Sequence, residues 1–240
     1  MQALAGTLRK RRNLSDIVGH AFNFYGADWR GFVTIGAGTI PMAVAGTLAG
    51  GLIENRVVWI VVTLALLVLS LGVYAIVEAA VVSHLLQIDS GNAGDEAGAY
   101  RAAWSKAAGL LKANYRLFFL VMLMFVSIVG IPFGFYSAIR WLFATHAIMI
   151  DGQTGANALS YSGNLVRGHW WRTFGRVLFV AVVIAVLSGA MTGLANAAPL
   201  LLYALVSAIV GAFTGPYLSI ALTLMYFDLK LRKAEEAPAT

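Results

Sequence analysis

Two ionisable side chains, Glu78 and Arg140, lie well inside long apolar stretches of the sequence. Each comes eleven residues before an aspartate that ends its stretch, and Tyr217 has the same position in a third stretch. Eleven helical residues span about 16 Å, which is near the centre of a bilayer. We therefore predict an intramembrane ion pair between Glu78 and Arg140, with Tyr217 as a third member, since an unpaired charge there costs about 2.5–3.5 kcal/mol. Two interpretations stay open: a substrate, proton or ion pathway, or a staple between hairpins.

The aspartates that end these stretches are preceded by a histidine in two of the three cases. His84 comes five residues before Asp89 and His146 five before Asp151, whereas the third stretch keeps only Asp228. A metal site is the less favoured interpretation, because this spacing does not stack the two side chains on a helix and no third ligand is evident. Helix-end capping and interface contacts are favoured, and no cofactor is expected.

A second motif recurs three times, as an aromatic residue, an arginine, one free position and a phenylalanine. At a membrane surface the amphipathic ring lies at headgroup level, the guanidinium reaches lipid phosphate and the phenylalanine enters hydrocarbon. The motif thus predicts anchors to anionic lipid, with a specific lipid or partner site as the alternative. Its copies are Trp29, Arg30 and Phe32; Tyr115, Arg116 and Phe118; and Trp170, Trp171, Arg172 and Phe174.

Composition places these motifs in an all-α polytopic membrane protein. Hydrophobic residues make up 60% of the chain and charged residues only 12%, against about a quarter in soluble domains. Apolar runs predict six transmembrane helices, paired by short links into three hairpins. Their approximate ranges are 31–53, 57–87, 117–129, 130–150, 177–194 and 200–227.

Each hairpin is preceded by a segment with apolar residues at helical spacing, which predicts a short amphipathic helix in the membrane interface. The chain is thus one membrane domain, 1–240, built from three copies of an interfacial helix plus a hairpin. The predicted boundaries are about 13–91, 95–152 and 155–233, with a basic tail over 1–12 and a disordered tail over 234–240.

The basic residues indicate the orientation. Fifteen Lys and Arg lie on the side of the termini and only Arg56 lies on the other, while Arg140 is within a span. The positive-inside rule then predicts that both termini are cytoplasmic. The net charge of +6 is better explained by anionic headgroups than by nucleic acid, which we do not expect as a partner.

Small residues four apart predict close helix packing, within the chain or between chains. They are Gly46 and Gly50, Gly189 and Gly193, and Gly211 and Gly215. The chain has no cysteine, and we find none of the common motifs of hydrolases, metalloproteases or nucleotide-binding proteins. We therefore expect that the protein is not an enzyme.

Three hairpins led by amphipathic helices, with ALSYSGNLVRGHWWRTFGRVLF after ATHAIMIDG and the closing YFDLKLRK, resemble a broad bacterial family. It comprises the membrane domain found beside some glycerophosphodiester phosphodiesterases, and related inner-membrane proteins. The family's catalytic domain is a separate soluble barrel for which this chain has no counterpart, so the resemblance does not imply the phosphodiesterase activity. It implies a six-span module of the bacterial inner membrane, such as a scaffold, a lipid-handling element or an accessory subunit.

The expected partners are membrane lipids and either a larger membrane complex or further copies of the chain. The rival function is a small transporter or channel using Glu78 and Arg140.

Overall fold

A computed structural model describes residues 6–92 and 94–236 of the chain. The described residues form eleven α-helices and one short 3₁₀ helix, which confirms the all-α prediction. The α-helices are α1 (Leu14–Ala27), α2 (Trp29–Gly36), α3 (Ile40–Leu52), α4 (Arg56–Asp89), α5 (Glu96–Ser105), α6 (Ala107–Phe125), α7 (Gly130–Trp141), α8 (Ala144–Asp151), α9 (Gly155–Val166), α10 (Trp170–Gly193) and α11 (Leu200–Glu236).

Five segments are long and apolar enough to cross a membrane, so the protein is a multi-pass membrane protein. The first combines α2, the 3₁₀ helix Ala37–Thr39 and α3, and Pro41 lies at the start of α3, where its missing N–H is tolerated. The other four are α4, α6, α10 and α11.

The fourth predicted span is not one helix. It consists of α7, with 12 residues, and α8, with 8 residues, separated at Leu142 and Phe143. The Ser162 hydroxyl of α9 lies at this break, where it accepts a hydrogen bond from the Phe143 N–H (3.1 Å) and donates one to the Arg140 carbonyl (2.7 Å). A side chain inserted into the backbone ladder in this way is a recognised cause of a helix break.

The two ends of the helix bundle differ strongly in burial. We call the end that carries Asp89, Asp151 and Asp228 the basic end, and the end with the three interhelical links 53–55, 126–129 and 194–199 the turn end. The buried residues of α4 all lie between Ala75 and Ile88, toward the basic end. Those of α10 lie in the half of the helix next to this end. The hydrophobic core is therefore concentrated at the basic end.

The three predicted amphipathic helices are present as α1, α5 and α9, but most of their apolar faces are buried against protein. Ile17 and Phe24 of α1, Ala103 of α5 and Val166 of α9 are fully buried in the core cluster. Helix α1 packs on α11, α5 on α4, and α9 on α7. The surrounding spans supply a protein core for most of these faces, so contact with protein replaces the predicted contact with lipid there. The location of the three helices at the membrane interface stays a prediction. Two large aromatic side chains are strongly exposed: Phe22 of α1 lies outside the apolar set that predicted its helix, whereas Trp104 of α5 belongs to that set.

The predicted tails are also partly built into the fold. Residues 1–5 and 237–240 lie outside the described residues, but Leu8 is fully buried and Arg12 is only 3% exposed. At the other terminus, residues 234–236 continue α11 rather than forming a separate tail. The basic run therefore does not end in a free tail, because its last arginine belongs to the core of the basic end.

Candidate functional site

A buried aspartate organises the centre of the basic end. The Asp228 side chain has no exposed surface and accepts hydrogen bonds from Arg176 (2.6 Å), Arg232 (2.9 Å) and the Arg12 backbone N–H (2.9 Å). Arg176 also donates to the Arg12 carbonyl at 2.9 Å. Burial lowers the pKa of the Arg12 guanidinium, and the charge of Asp228 acts in the opposite direction. This network ties the N-terminal segment to α10 and α11.

The other two repeated aspartates make equivalent connections. Asp89 accepts a hydrogen bond from the Leu8 N–H at 3.1 Å and so holds the N-terminal segment against the end of α4. Asp151 accepts hydrogen bonds from Tyr226 and Lys230 of α11. The three aspartates thus link separate segments rather than capping their own helices.

The two histidines do not contact the aspartates that follow them. His84 Nε2 lies 2.9 Å from the Asp28 carboxylate, whose other oxygen accepts from the Gly31 N–H and caps α2. The imidazole also packs edge-on against Phe32, with ring centroids 4.9 Å apart. His146 is fully buried and stacks on Tyr226. Both histidines therefore join neighbouring helices inside the core.

An apolar cavity of about 470 Å³ lies between α4, α6, α7, α8 and α11, and Glu78 is in its wall. We call it the Glu78 cavity. One Glu78 carboxylate oxygen accepts a hydrogen bond from the Thr145 hydroxyl at 3.2 Å, and the other lies 3.9 Å from His146 Nδ1. The Glu78 side chain keeps 28% of its surface exposed. Because it lines the cavity, this carboxylate faces a space of the size that small ligands occupy.

The cavity has a buried end and an open end. Thr145 and Leu222 at one end are nearly completely buried, whereas Tyr74 is half exposed and Gly211 is exposed at the other. Eleven helical residues separate Leu222 from Gly211, a distance of about 16 Å along α11. The cavity therefore runs from the core of the basic end to the exposed part of the spans.

The structure does not bring the predicted trio of Glu78, Arg140 and Tyr217 together. The Arg140 guanidinium lies over the Tyr136 ring, 5.5 Å from its centroid, and Tyr217 donates a hydrogen bond to the Val18 carbonyl at 3.2 Å. Within the described residues, no ion pair joins Glu78 to Arg140. The break between α7 and α8 removes the straight-helix geometry on which the matched depths depended.

The aromatic–arginine motifs are partly as predicted. Arg30, Arg116 and Arg172 are all exposed, as are Trp29 and Trp171, and their binding to lipid stays a prediction. Phe32, however, is fully buried. The other members are half-buried: Tyr115 donates a hydrogen bond to the Val68 carbonyl, Trp170 stacks between Tyr136 and Phe174, and Phe118 packs edge-on against Phe119.

The predicted packing glycines make no close contacts within the chain. Gly46, Gly50, Gly189, Gly193, Gly211 and Gly215 are all exposed, and a methyl group added to any of them would meet no atom within 4 Å. The close approach is instead at Gly36, where an added Cβ would lie 2.3 Å from the Ala212 carbonyl oxygen of α11. Packing of the six glycines between chains stays a prediction.

Several residues that organise these sites were not singled out from the sequence. Arg12 and Arg176 were counted only as topology signals, and Thr145 and Ser162 were not considered as polar partners. A serine or threonine in an apolar run gives little signal, because most such hydroxyls bond their own helix backbone. Their long-range partners depend on tertiary packing.

The fold and these sites define an all-helical, multi-pass membrane protein, and comparison with known families agrees with this class. The family model of the membrane domain of glycerophosphoryl diester phosphodiesterase matches residues 110–229, half of the 240-residue chain. The chain belongs to this family, as its motifs indicated. Searches of curated proteins and of solved structures found no match.

Proposed function

We propose that the protein is a non-enzymatic scaffold or accessory subunit of the bacterial cytoplasmic membrane. It would anchor to the inner leaflet through its basic end and associate with a larger membrane complex or with further copies of itself. In this proposal α7 and α8 together make a sixth crossing, three helix-plus-hairpin repeats complete the domain, and both termini are cytoplasmic. The basic residues on the side of the termini and the exposed motif arginines support this orientation.

The observation that carries the proposal is the exposed glycine faces of α3 and α10. Gly46 and Gly50 on α3, and Gly189 and Gly193 on α10, have no neighbour within 4 Å of an added methyl group. Small residues on a transmembrane surface allow another helix to approach closely, so that van der Waals contact can drive association. Since the chain itself does not cover these faces, a partner helix is the proposed occupant.

Site-directed cross-linking tests the proposal directly, because the natural chain has no cysteine. Gly50→Cys and Gly193→Cys, each made alone in native membranes, should give an oxidised adduct with a second copy or, with a bifunctional reagent, with another protein. Val126→Cys, which is strongly exposed in an interhelical link, is the matched control. Mass spectrometry of the gently extracted protein would identify the partner. A protein that extracts as a monomer without companions and forms no adduct at either glycine position would contradict the proposal.

A lipid-handling or transport function is the second candidate, and the Glu78 cavity favours it. A cavity with a carboxylate in its apolar wall, open toward the exposed part of the spans, has the features of a ligand site. If this function holds, Glu78→Gln should abolish ligand retention or flux while the protein stays folded. If Glu78 is only structural, the same change should alter thermal stability and leave retention unchanged.

A further inference from the structure

The Glu78 carboxylate is incompletely paired inside the protein. Thr145 satisfies one oxygen, but the 3.9 Å separation between the other oxygen and His146 Nδ1 is too long for a hydrogen bond. No lysine or arginine is among the residues that line the cavity. A carboxylate in an apolar wall needs a cation, a donor or a proton to offset the loss of water. The open space beside it can hold the group that provides one.

A second residue of the cavity wall has a buried polar group without a partner. Ser219 of α11 is 6% exposed, and its hydroxyl oxygen has no hydrogen-bond partner within the described residues. Buried hydroxyls are nearly always paired in folded proteins. The wall is mostly apolar but also includes Thr39, Tyr74 and Asn114. It therefore contains an acceptor-only group, Glu78, and a buried hydroxyl, Ser219, that lacks a partner within the described residues. A ligand that donates more than one hydrogen bond from a positive head would satisfy both.

We propose that the Glu78 cavity binds a cationic amphiphile, a protonated amine attached to an apolar chain. The ammonium would lie beside Glu78 and donate to its free oxygen and to the Ser219 hydroxyl. The apolar chain would extend past Leu218 and Tyr74 toward the open end. Phosphate-bearing headgroups are the wrong chemistry for this wall, because no lysine or arginine of the cavity is available to pair with them.

This inference rests on the second candidate function and adds the ligand's chemical class. It is tested with the full chain in nanodiscs of phosphatidylcholine, which contain no protonated amine. The probes are 12-bromododecylamine and the neutral 12-bromododecanol, and the readout is quenching of Trp141, which lines the cavity. The fluorescence of Trp141 is obtained by subtracting the fluorescence of a Trp141→Phe variant from that of the natural chain.

Quenching of Trp141 is expected to show that the amine binds with at least about tenfold higher affinity than the alcohol. Both affinities are corrected for partitioning of the probe into empty nanodiscs, which lack the membrane protein. Glu78→Gln keeps the size of the side chain and should weaken amine binding about tenfold while leaving alcohol binding unchanged. Glu54→Gln is the matched control, since Glu54 is exposed in the link between α3 and α4, and it should change neither affinity.

Equal affinity for the amine and the alcohol would overturn the amine assignment but leave an amphiphile site in place. Absence of Trp141 quenching by both probes would overturn the second candidate function as well. If Glu78→Gln does not fold, the comparison of amine with alcohol on the natural chain still tests whether the cavity prefers a cationic head. Mass spectrometry separates the sources: an amine lipid retained on the gently extracted protein indicates a membrane lipid. Binding of 12-bromododecylamine without a retained lipid supports an exchangeable amine.

Discussion

Different interactions stabilise the basic end and the turn end of the molecule, although α4, α10 and α11 extend through both. At the basic end, short helices and the N-terminal segment cover the spans, and the charged groups are paired in networks such as the one around Asp228. At the turn end, large apolar side chains such as Leu69, Phe133 and Leu187 are exposed. The first resembles the interior of a water-soluble domain, and the second has the surface of a helix that faces lipid.

The difference follows from the solvent that each end meets. Lipid tails are as apolar as leucine, so the spans gain little by covering one another there. Chain segments that carry arginine, aspartate and unpaired backbone groups meet headgroups and water, where burying apolar faces against protein is favourable. The Glu78 cavity lies at the transition between the two, where packing loosens but polar groups are still present.

The comparison of the two ends predicts that shortening a large apolar side chain lowers the free energy of unfolding strongly only at the basic end. Phe24→Ala removes a fully buried ring and should lower the free energy of unfolding by about 4 kcal/mol. Phe133→Ala, at a ring that is 63% exposed, should lower it by less than about 1 kcal/mol. Thermal or denaturant unfolding in one detergent measures both. Equal losses would mean that the turn end is packed by protein as tightly as the basic end.

Loss of a buried charge should be nearly as costly. Asp228→Asn keeps the shape of the side chain but leaves Arg176 and Arg232 without their carboxylate, with an expected loss of about 3 kcal/mol. Asp95→Asn is the control. Asp95 is the exposed N-cap of α5, a position at which Asn caps as well as Asp, so the variant should stay within about 0.5 kcal/mol of the natural chain. A loss below about 1 kcal/mol for Asp228→Asn would show that water enters the network.

Adding one methyl group to a glycine should have opposite effects at two places. Gly36→Ala places Cβ 2.3 Å from the Ala212 carbonyl oxygen and should cost about 2 kcal/mol through helix displacement. Gly189→Ala meets no atom within 4 Å and should stabilise α10 by up to about 1 kcal/mol through helix propensity. The same unfolding assay compares them. A loss at Gly189 in native membranes but not in detergent would indicate a partner helix on that face.

The smallest expected effect concerns a single hydroxyl. Tyr100 of α5 donates a hydrogen bond to the Ile35 carbonyl at 2.7 Å, and burial raises the pKa of its phenol. Tyr100→Phe should cost about 1 kcal/mol, the usual contribution of one such bond. Tyr203 lies near the turn end, and its hydroxyl makes no hydrogen bond within the described residues, so Tyr203→Phe should be neutral. Equal values for the two variants would contradict the role of the Tyr100 bond.

The sequence was sufficient to predict which residue of the site is unusual, but it was not sufficient to predict the partners of that residue in other helices. The prominence of Glu78 was evident from the sequence, because a carboxylate in a long apolar run is rare. The partner was predicted to be Arg140 from matched spacing, and the structure pairs Glu78 with Thr145 instead. That spacing rule assumed continuous helices. The insertion of Ser162 into the break between α7 and α8 invalidates it, and nothing in the local pattern of either helix signals this contact.

The membrane class, most of the helices and the family were evident from the sequence alone, because hydropathy and helical periodicity are local properties that survive any packing arrangement. The sequence also identified the three aspartates and the exposed arginines of the motif. Three features became visible only in the folded protein: α1, α5 and α9 bury most of their apolar faces against protein, Arg12 belongs to the core, and a cavity opens beside Glu78. These features depend on contacts between different helices, and such contacts are fixed by the packing of all the helices together.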